Sequence, residues 1–216
     1  MSVVAPPEGE ALPSGFWEAL DWNGGRAADA ETFRSMLEAA NRETNLVGAA
    51  TLPQFWTRHF LDSAQLLWFE REAVRWADLG SGAGLPGLVL AILLKGRPGA
   101  RIDLVESMAK RCRFLQSVVD GLELPASVRH GRAEDFRLQA EVVTARACAP
   151  LERLLDFAAP FMALGARGLF LKGTDAQAEI DAARGRWRFE VKCETSLSDP
   201  RGRLLAIRNL SRASRR

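Results

Sequence analysis

A chain of 216 residues makes one domain with room for a small appendage, long enough to bury a full core. It is 47% hydrophobic and 26% charged, as ordinary globular proteins are, and a net charge of +2 excludes bulk basicity as a sign of nucleic-acid binding. Charge is unevenly spread: Asp181 to Arg216 holds ten Lys/Arg against four Asp/Glu, a local excess of six positive charges. The three cysteines, Cys112, Cys148 and Cys193, are far apart in apolar contexts and read as reduced, buried thiols. With only two histidines, zinc is not expected, nor any other metal site. The opening MSVVAPPEGEALPSG lacks the basic segment and apolar core of a signal peptide, and no apolar run approaches membrane-spanning length. These features place the protein in the cytoplasm, away from membranes.

In chain order, residues 1–13 are rich in Pro, Gly and Glu and are expected to be disordered. Residues 14–72 read as a helical cap. Phe33, Met36, Leu37 and Ala40 keep a helical stripe, and Phe55, Trp56, His59, Phe60, Ser63, Leu66 and Leu67 repeat at helical spacing. Thr51-Leu52-Pro53-Gln54 fits a capping box with an early proline.

The pattern changes at residue 73. Val74 to Leu79 is a short run ending in Asp78-Leu79; Gly80, Gly82, Gly84 and Gly87 follow, then an apolar stretch from Leu88 to Leu94. A second run, Ile102 to Val105, ends on Glu106. Strand, glycine turn, helix, strand and acid open a nucleotide-binding βαβ unit. A side chain in the turn would block the backbone from a bound nucleoside, and Glu106 sits where a carboxylate can accept hydrogen bonds from two ribose hydroxyls. Two cofactors fit the spelling. Gly82 to Gly87 gives G-x-G-x-x-G, a dinucleotide pattern, whereas the stretch from Asp78 gives D-x-G-x-G-x-G, the signature of S-adenosylmethionine methyltransferases.

The rest of the chain chooses between them. A helix from Ser107 to Gly121 follows, then strands at 127–129 and 142–144, a helix over 151–162, a strand over 168–171 and a helix over 175–184. The last two strands, 186–192 and 203–208, have too short a link for a crossover helix and are expected to form an antiparallel hairpin at the sheet edge. The fold class is therefore α/β: a Rossmann-like seven-stranded methyltransferase sheet over 73–210 with an N-terminal helical cap and a basic tail at 211–216. A dehydrogenase needs a second mononucleotide half, which this chain lacks, so S-adenosylmethionine is the expected cofactor.

Several motifs occur in a fixed order: NRETNL from Asn41, RHFLDS from Arg58, DLGSGAGLPG, ES-x-x-KR-x-x-FL from Glu106, GRAEDF from Gly131, ARA from Ala145 and LKG from Leu171. Together they cover about residues 35–208 and closely resemble the ribosomal RNA small subunit methyltransferase G family, also called glucose-inhibited division protein B. The resemblance implies methylation of guanosine N7 in the helix-18 loop of bacterial 16S rRNA. So modest a net charge points to a structured particle, the small subunit or its precursor, as the substrate, and a monomer is expected. It also implies that Gly80 and Leu85 contact S-adenosylmethionine, that Ala133 and Glu134 bracket the adenine, and that Arg146 borders the pocket. The family tends to carry an Arg before the last strand; Arg201 and Arg203 both stand near that place here, and neither is assigned.

The residues themselves give much the same set. Strand carboxyl ends form the ligand crevice of an open α/β sheet. That places Gly80, Gly82, Glu106, Ala133, Glu134, Arg146 and Lys172 around one cavity. Glu134 is equally readable as a surface acid, Lys172 as a solvated one-off, and Asp78 as either a loop anchor or a neighbour of the sulfonium. Arg146, among small apolar residues in sequence, either meets an anion in the pocket or holds an internal acid. His59 and Asp62, one turn apart, read as a helix-fixing pair. Lys110, Arg111 and Arg113 are either a solvated face or an RNA footprint, and Arg201 through Arg216 are the candidates for phosphate contacts. No catalytic base is assigned. Alternative readings remain: the same fold acting on another RNA, a protein or a small molecule, a cofactor-binding regulator, or a nicotinamide oxidoreductase.

Overall fold

The computed structural model describes residues 12–146 and 148–213. The N-terminal segment is helical: α1 (Phe16–Ala19), α2 (Gly24–Asn41), a 3-10 turn (Ala49–Gln54), a π-helix (Phe55–Leu61) and α3 (Asp62–Phe69). Asn23 caps α2, its side-chain oxygen accepting from the amides of Gly25 and Arg26 at 3.1 Å. At the other end Asn41, itself buried, accepts from Leu46 N at 2.8 Å and Val47 N at 2.9 Å, which folds the NRETNL segment back on the helix.

The remainder alternates β1 (Arg75–Leu79), α4 (Gly87–Leu94), β2 (Arg101–Glu106), α5 (Ala109–Gly121), β3 (Ala126–His130), β4 (Val142–Arg146), α6 (Leu151–Met162), β5 (Arg167–Lys172), α7 (Ala176–Ala183), β6 (Trp187–Thr195) and β7 (Arg203–Arg212). The seven strands lie in the order β3-β2-β1-β4-β5-β7-β6. β1 to β5 pair in parallel; β7 runs antiparallel to both β5 and β6. The expected edge hairpin is present. Strand order reverses between β2 and β4 around β1, so a crevice opens at their carboxyl ends.

Helix α4, GLVLAILL, is buried at all eight positions. A helix apolar on every side must be covered on every side. One face packs on β1 and β2, and the other on α2 and α3. One core cluster accordingly contains Phe33, Leu37, Phe60 and Leu66 of the N-terminal helices together with Leu88 to Leu94 and Leu104. A second cluster on the opposite sheet face joins α6 and α7 to Leu79, Val143, Phe170 and Leu205.

Four sequence expectations change. Thr51 caps no helix through its side chain: residues 49–54 form a 3-10 turn and 55–61 a π-helix. The single helical register read over Phe55 to Leu67 is thus broken at Asp62. Cys112 is buried, but Cys148 and Cys193 are exposed, because one follows the end of β4 and the other lies on the edge strand β6. Residues 211 and 212 extend β7 rather than starting a tail, and Ala213 N donates to Arg186 O at 2.9 Å. Of the segment read as disordered, Leu12 packs against the core and Pro13 O accepts from Phe16 N, while residues 1–11 lie outside the described residues. Residues 214–216 likewise lie outside them.

Replacing Asn41 with Ala strands two amides in the turn to Leu46. The expected loss is about 1–3 kcal/mol of unfolding free energy. Urea denaturation measures it, and an unmoved midpoint would show that the turn is held by other contacts.

Candidate functional site

The site begins with two carboxylates at neighbouring strand ends. Asp78, fully buried in β1, accepts from Gly87 N at 3.0 Å through Oδ2 and so ties the start of α4 to the strand. A Cβ at Gly87 would lie 2.7 Å from that same oxygen, so only glycine allows this approach. Its other oxygen, Oδ1, is buried with no hydrogen-bond partner. Burial pushes the Asp78 carboxyl up to about 7, against the pull of the Gly87 amide and the Ser81 hydroxyl.

Glu106, at the end of β2 and also buried, holds the glycine turn from the other side. Its Oε2 accepts from Gly82 N at 2.9 Å and its Oε1 from Met108 N at 2.8 Å. Each oxygen keeps a second lone pair, so the carboxylate can still accept two hydroxyl donors. Gly80 N and Ser81 N both donate to Val105 O, at 2.9 and 3.0 Å. Gly82 has φ +55, and a Cβ built there would meet nothing nearer than Gly80 O at 3.6 Å. At Gly82 the turn therefore presents bare backbone to open space, a cradle that any side chain would fill. Lone pairs free on Glu106 and a bare turn suit a ligand with a ribose, and the negative charge of Glu106 suits a cationic one.

Glu106 and the glycine turn, with Asp78 buried behind them, form one wall of a cavity of about 1040 Å³, ample for a small-molecule ligand, whose pockets run from about 300 to 1,000 Å³. The facing wall comes from the N-terminal segment, with Val47, Thr51, Arg58, His59 and Asp62, and the far side from the β6–β7 link at Ser196 to Gly202. A second cavity of about 690 Å³, between α2 and the loop after α4, lies elsewhere and holds ion pairs such as Lys95–Asp29 at 2.8 Å.

Arg146 stands where the walls meet. Its Nη1 donates to Arg58 O at 3.0 Å and lies 3.5 Å from Asp62 Oδ2, and its Nη2 lies 3.0 Å from His59 Nδ1. A guanidinium only donates, so His59 Nδ1 must accept, which leaves the ring proton on Nε2. His59 Nε2 lies 2.9 Å from Thr51 Oγ1, which in turn donates to Gly48 O at 2.7 Å. The chain of donors runs unbroken from Arg146 to the backbone. Burial, with the charges of Arg146 and Arg58, pulls His59 down to about 4. Asp62 Oδ1 meanwhile accepts from Ser198 Oγ at 2.6 Å and from Gln65 Nε2 at 2.9 Å. Buried Gln65 also donates to Ser196 Oγ at 2.9 Å and accepts from Leu197 N at 2.8 Å. Together Asp62 and Gln65 hold the β6–β7 link against α3.

Sequence comparison assigns the fold's owner. A GidB family model, described as rRNA small subunit methyltransferase G, matches residues 26–205. The chain is 52% identical over 210 residues to the ribosomal RNA small subunit methyltransferase G of Caulobacter vibrioides strain NA1000, covering 97% of each chain. This chain belongs to the GidB family. The protein of that name from Caulobacter sp. strain K31 is 54% identical over 183 residues, 85% of this chain and 83% of that one. The fold is shared more widely: the O-methyltransferase TomG of Streptomyces achromogenes, solved with S-adenosylmethionine, superposes with a TM-score of 0.56 at 16% identity over 81% of this chain and 88% of that one.

Within this family member the structure brings Gly80, Gly82, Leu85, Glu106, Arg146 and Lys172 to one cavity. Ala133 and Glu134 form a short turn after β3; Ala133 is buried, Glu134 is exposed, and neither lines the cavity. Lys172 is not solvated: its Nζ pairs with Glu179 at 2.6 Å and donates to Ala149 O at 2.9 Å. Arg146 does not stand among apolar groups, and His59 and Asp62 hold that arginine rather than fixing their own helix. Lys110 donates to Glu43 O at 2.9 Å and Arg111 lies 3.9 Å from Glu106, whereas Arg113 is exposed. Arg201 is forked onto Asp199, Arg203 donates to two carbonyls, and Arg212 pairs with Asp156 at 2.7 Å. Reasoning from sequence missed Gln65, Ser196 and Ser198. For Ser196 and Ser198 the only signal was a run of small polar residues between the last two strands, and Gln65 in α3 gave none.

A depressed His59 pKa implies that the unfolded chain takes up a proton between about pH 6.5 and 4 that the folded chain does not. That contribution to stability is complete above 6.5 and falls away as pH drops through the window. In nitrogen-15 spectra His59 should stay neutral, with the proton on Nε2, to below pH 5. An imidazolium signal at pH 6 would refute the donor chain.

Proposed function

We propose that this chain transfers a methyl group from S-adenosylmethionine to N7 of a guanosine in the helix-18 loop of bacterial 16S rRNA, acting as a cytoplasmic monomer on the small subunit or its precursor. The observation that carries the reading is the bare glycine turn held between Asp78 and Glu106, on one wall of a cavity wide enough to admit a second molecule. No helix of the described residues is long and apolar enough to cross a membrane, and no cluster of metal-binding side chains occurs among them.

In this reading Glu106 accepts the ribose hydroxyls and the Gly80–Gly82 backbone passes along the ligand, while Asp78, buried behind the turn, anchors it. Bound there, S-adenosylmethionine supplies an electrophilic methyl group on sulfur. Guanine N7 carries a lone pair and no proton, so the chain has no proton to remove and needs no general base. His59 could not serve as one, since both its nitrogens are engaged and it titrates near 4. What the residues contribute is placement: cofactor on the strand ends, base against the facing wall, water kept from between them. At the mouth, Arg58, Arg111 and Arg201 line the cavity and suit RNA phosphates.

Incubating the protein with methyl-labelled S-adenosylmethionine and small subunits lacking the modification should place label in 7-methylguanosine of 16S rRNA; label in another nucleoside, or none, overturns the proposal. Glu106→Ala should weaken cofactor binding by at least about tenfold, the worth of one charge-assisted hydrogen bond. Calorimetry reads this directly, and unchanged affinity removes Glu106 from the cofactor site. Between pH 6 and 9 the rate should show no limb that substitution of His59 abolishes.

A further inference from the structure

Arg146 carries five N–H donors, and the contacts above use three. Both hydrogens of Nη1 go to the Arg58 carbonyl and to Asp62, and one of Nη2 goes to His59. Nε–H and the second Nη2–H have no partner among the described residues, on a side chain that lines the cavity. Nothing left on Arg146 can accept a hydrogen bond. Such a group reads a base edge by its acceptors: guanine presents O6 beside N7, whereas adenine presents an amino donor at the same place.

We propose that Arg146 determines base specificity by donating one free N–H to O6 of the target guanine, so that N7 is aligned and left uncovered. This rests on the N7-guanine reading given above. A bare cation beside a nitrogen that is gaining positive charge would oppose the reaction. Asp62, 3.5 Å away, offsets that charge, while neutral His59 accepts from Nη2 and holds the plane of the group without adding a second cation. Asp62 and His59 are thus positioning residues for Arg146. Thr51 ties His59 to the Gly48 carbonyl and the Ser198 hydroxyl ties Asp62 to the β6–β7 link, which fixes the direction in which the free donors point.

The test uses small subunits reconstituted with 16S rRNA carrying guanosine, inosine or 2-aminopurine riboside at the target position. Inosine keeps O6 and N7; 2-aminopurine keeps N7 and has no O6. Wild-type enzyme should methylate guanosine and inosine at similar kcat/KM and 2-aminopurine about 5- to 150-fold less well, the worth of a base-edge contact. Arg146→Met, which has no donor, should shrink the guanosine to 2-aminopurine ratio by about that factor, leaving only the intrinsic difference in N7 reactivity, and Arg146→Lys should largely restore it. Equal use of guanosine and 2-aminopurine by the wild-type enzyme overturns the proposal without need of any variant. So does a folded Arg146→Met enzyme that keeps the wild-type ratio, and if calorimetry then shows weakened cofactor binding, the free donors belong to the cofactor. Failure of the wild-type enzyme to label even guanosine fails the N7-guanine reading itself, and this proposal with it.

Discussion

The structure depends on how closely α4 can approach the end of β1. Gly87 is the first residue of that helix, and its amide reaches Asp78 only because no Cβ stands between them. The contact joins a buried carboxylate to the electropositive end of a helix, one of the few places where an uncompensated acid is tolerable in a core. Everything around it follows. The helix is driven into the centre of the fold, so it must be apolar on all sides, and the N-terminal helices are needed to cover the side that the sheet leaves open. The segment that looks like an accessory cap in sequence is the second half of the core.

The same segment builds the site. Once α2 and α3 are packed on α4, the π-helix between them has to lie across the mouth of the crevice, bringing Arg58, His59 and Asp62 over the end of β4. The wider turn of a π-helix marks functional positions in many folds. Here it leads directly into Asp62, whose two oxygens serve different masters: Arg146 on one side and the β6–β7 link on the other. An arginine on the sheet is thereby aimed by residues from the opposite ends of the chain.

The sheet was legible in the sequence because its signals are local. A glycine turn between two apolar runs announces β1, α4 and β2, and a link too short for a helix announces the β6–β7 hairpin. The α6 boundaries, Leu151 and Met162, followed from periodicity alone. The N-terminal register was not legible, because 3-10, α and π turns bury nearly the same apolar stripe, and the choice among them was made by contacts such as Thr51 with His59. Arg146 looked solitary because its partners lie 84 to 88 positions away. Gln65 and Ser196, 131 apart, had no shared motif at all. Cys148 seemed buried from its neighbours in sequence, yet it falls just past a strand end, where the sheet opens.

The link between Asp62 and the serines before β7 also has a meaning in time. Asp62 leaves the ribosome early, whereas Ser198, its hydrogen-bond partner, is made 136 residues later. At about 5–20 residues per second that interval is roughly 7 to 27 s. During it, the Arg146 guanidinium emerges and can pair with Asp62, while the outer oxygen still faces water. The far wall of the crevice closes only when the last hairpin folds back onto α3. A nascent chain therefore possesses the glycine turn and both of its carboxylates well before it possesses the β6–β7 link that completes the far wall of the crevice.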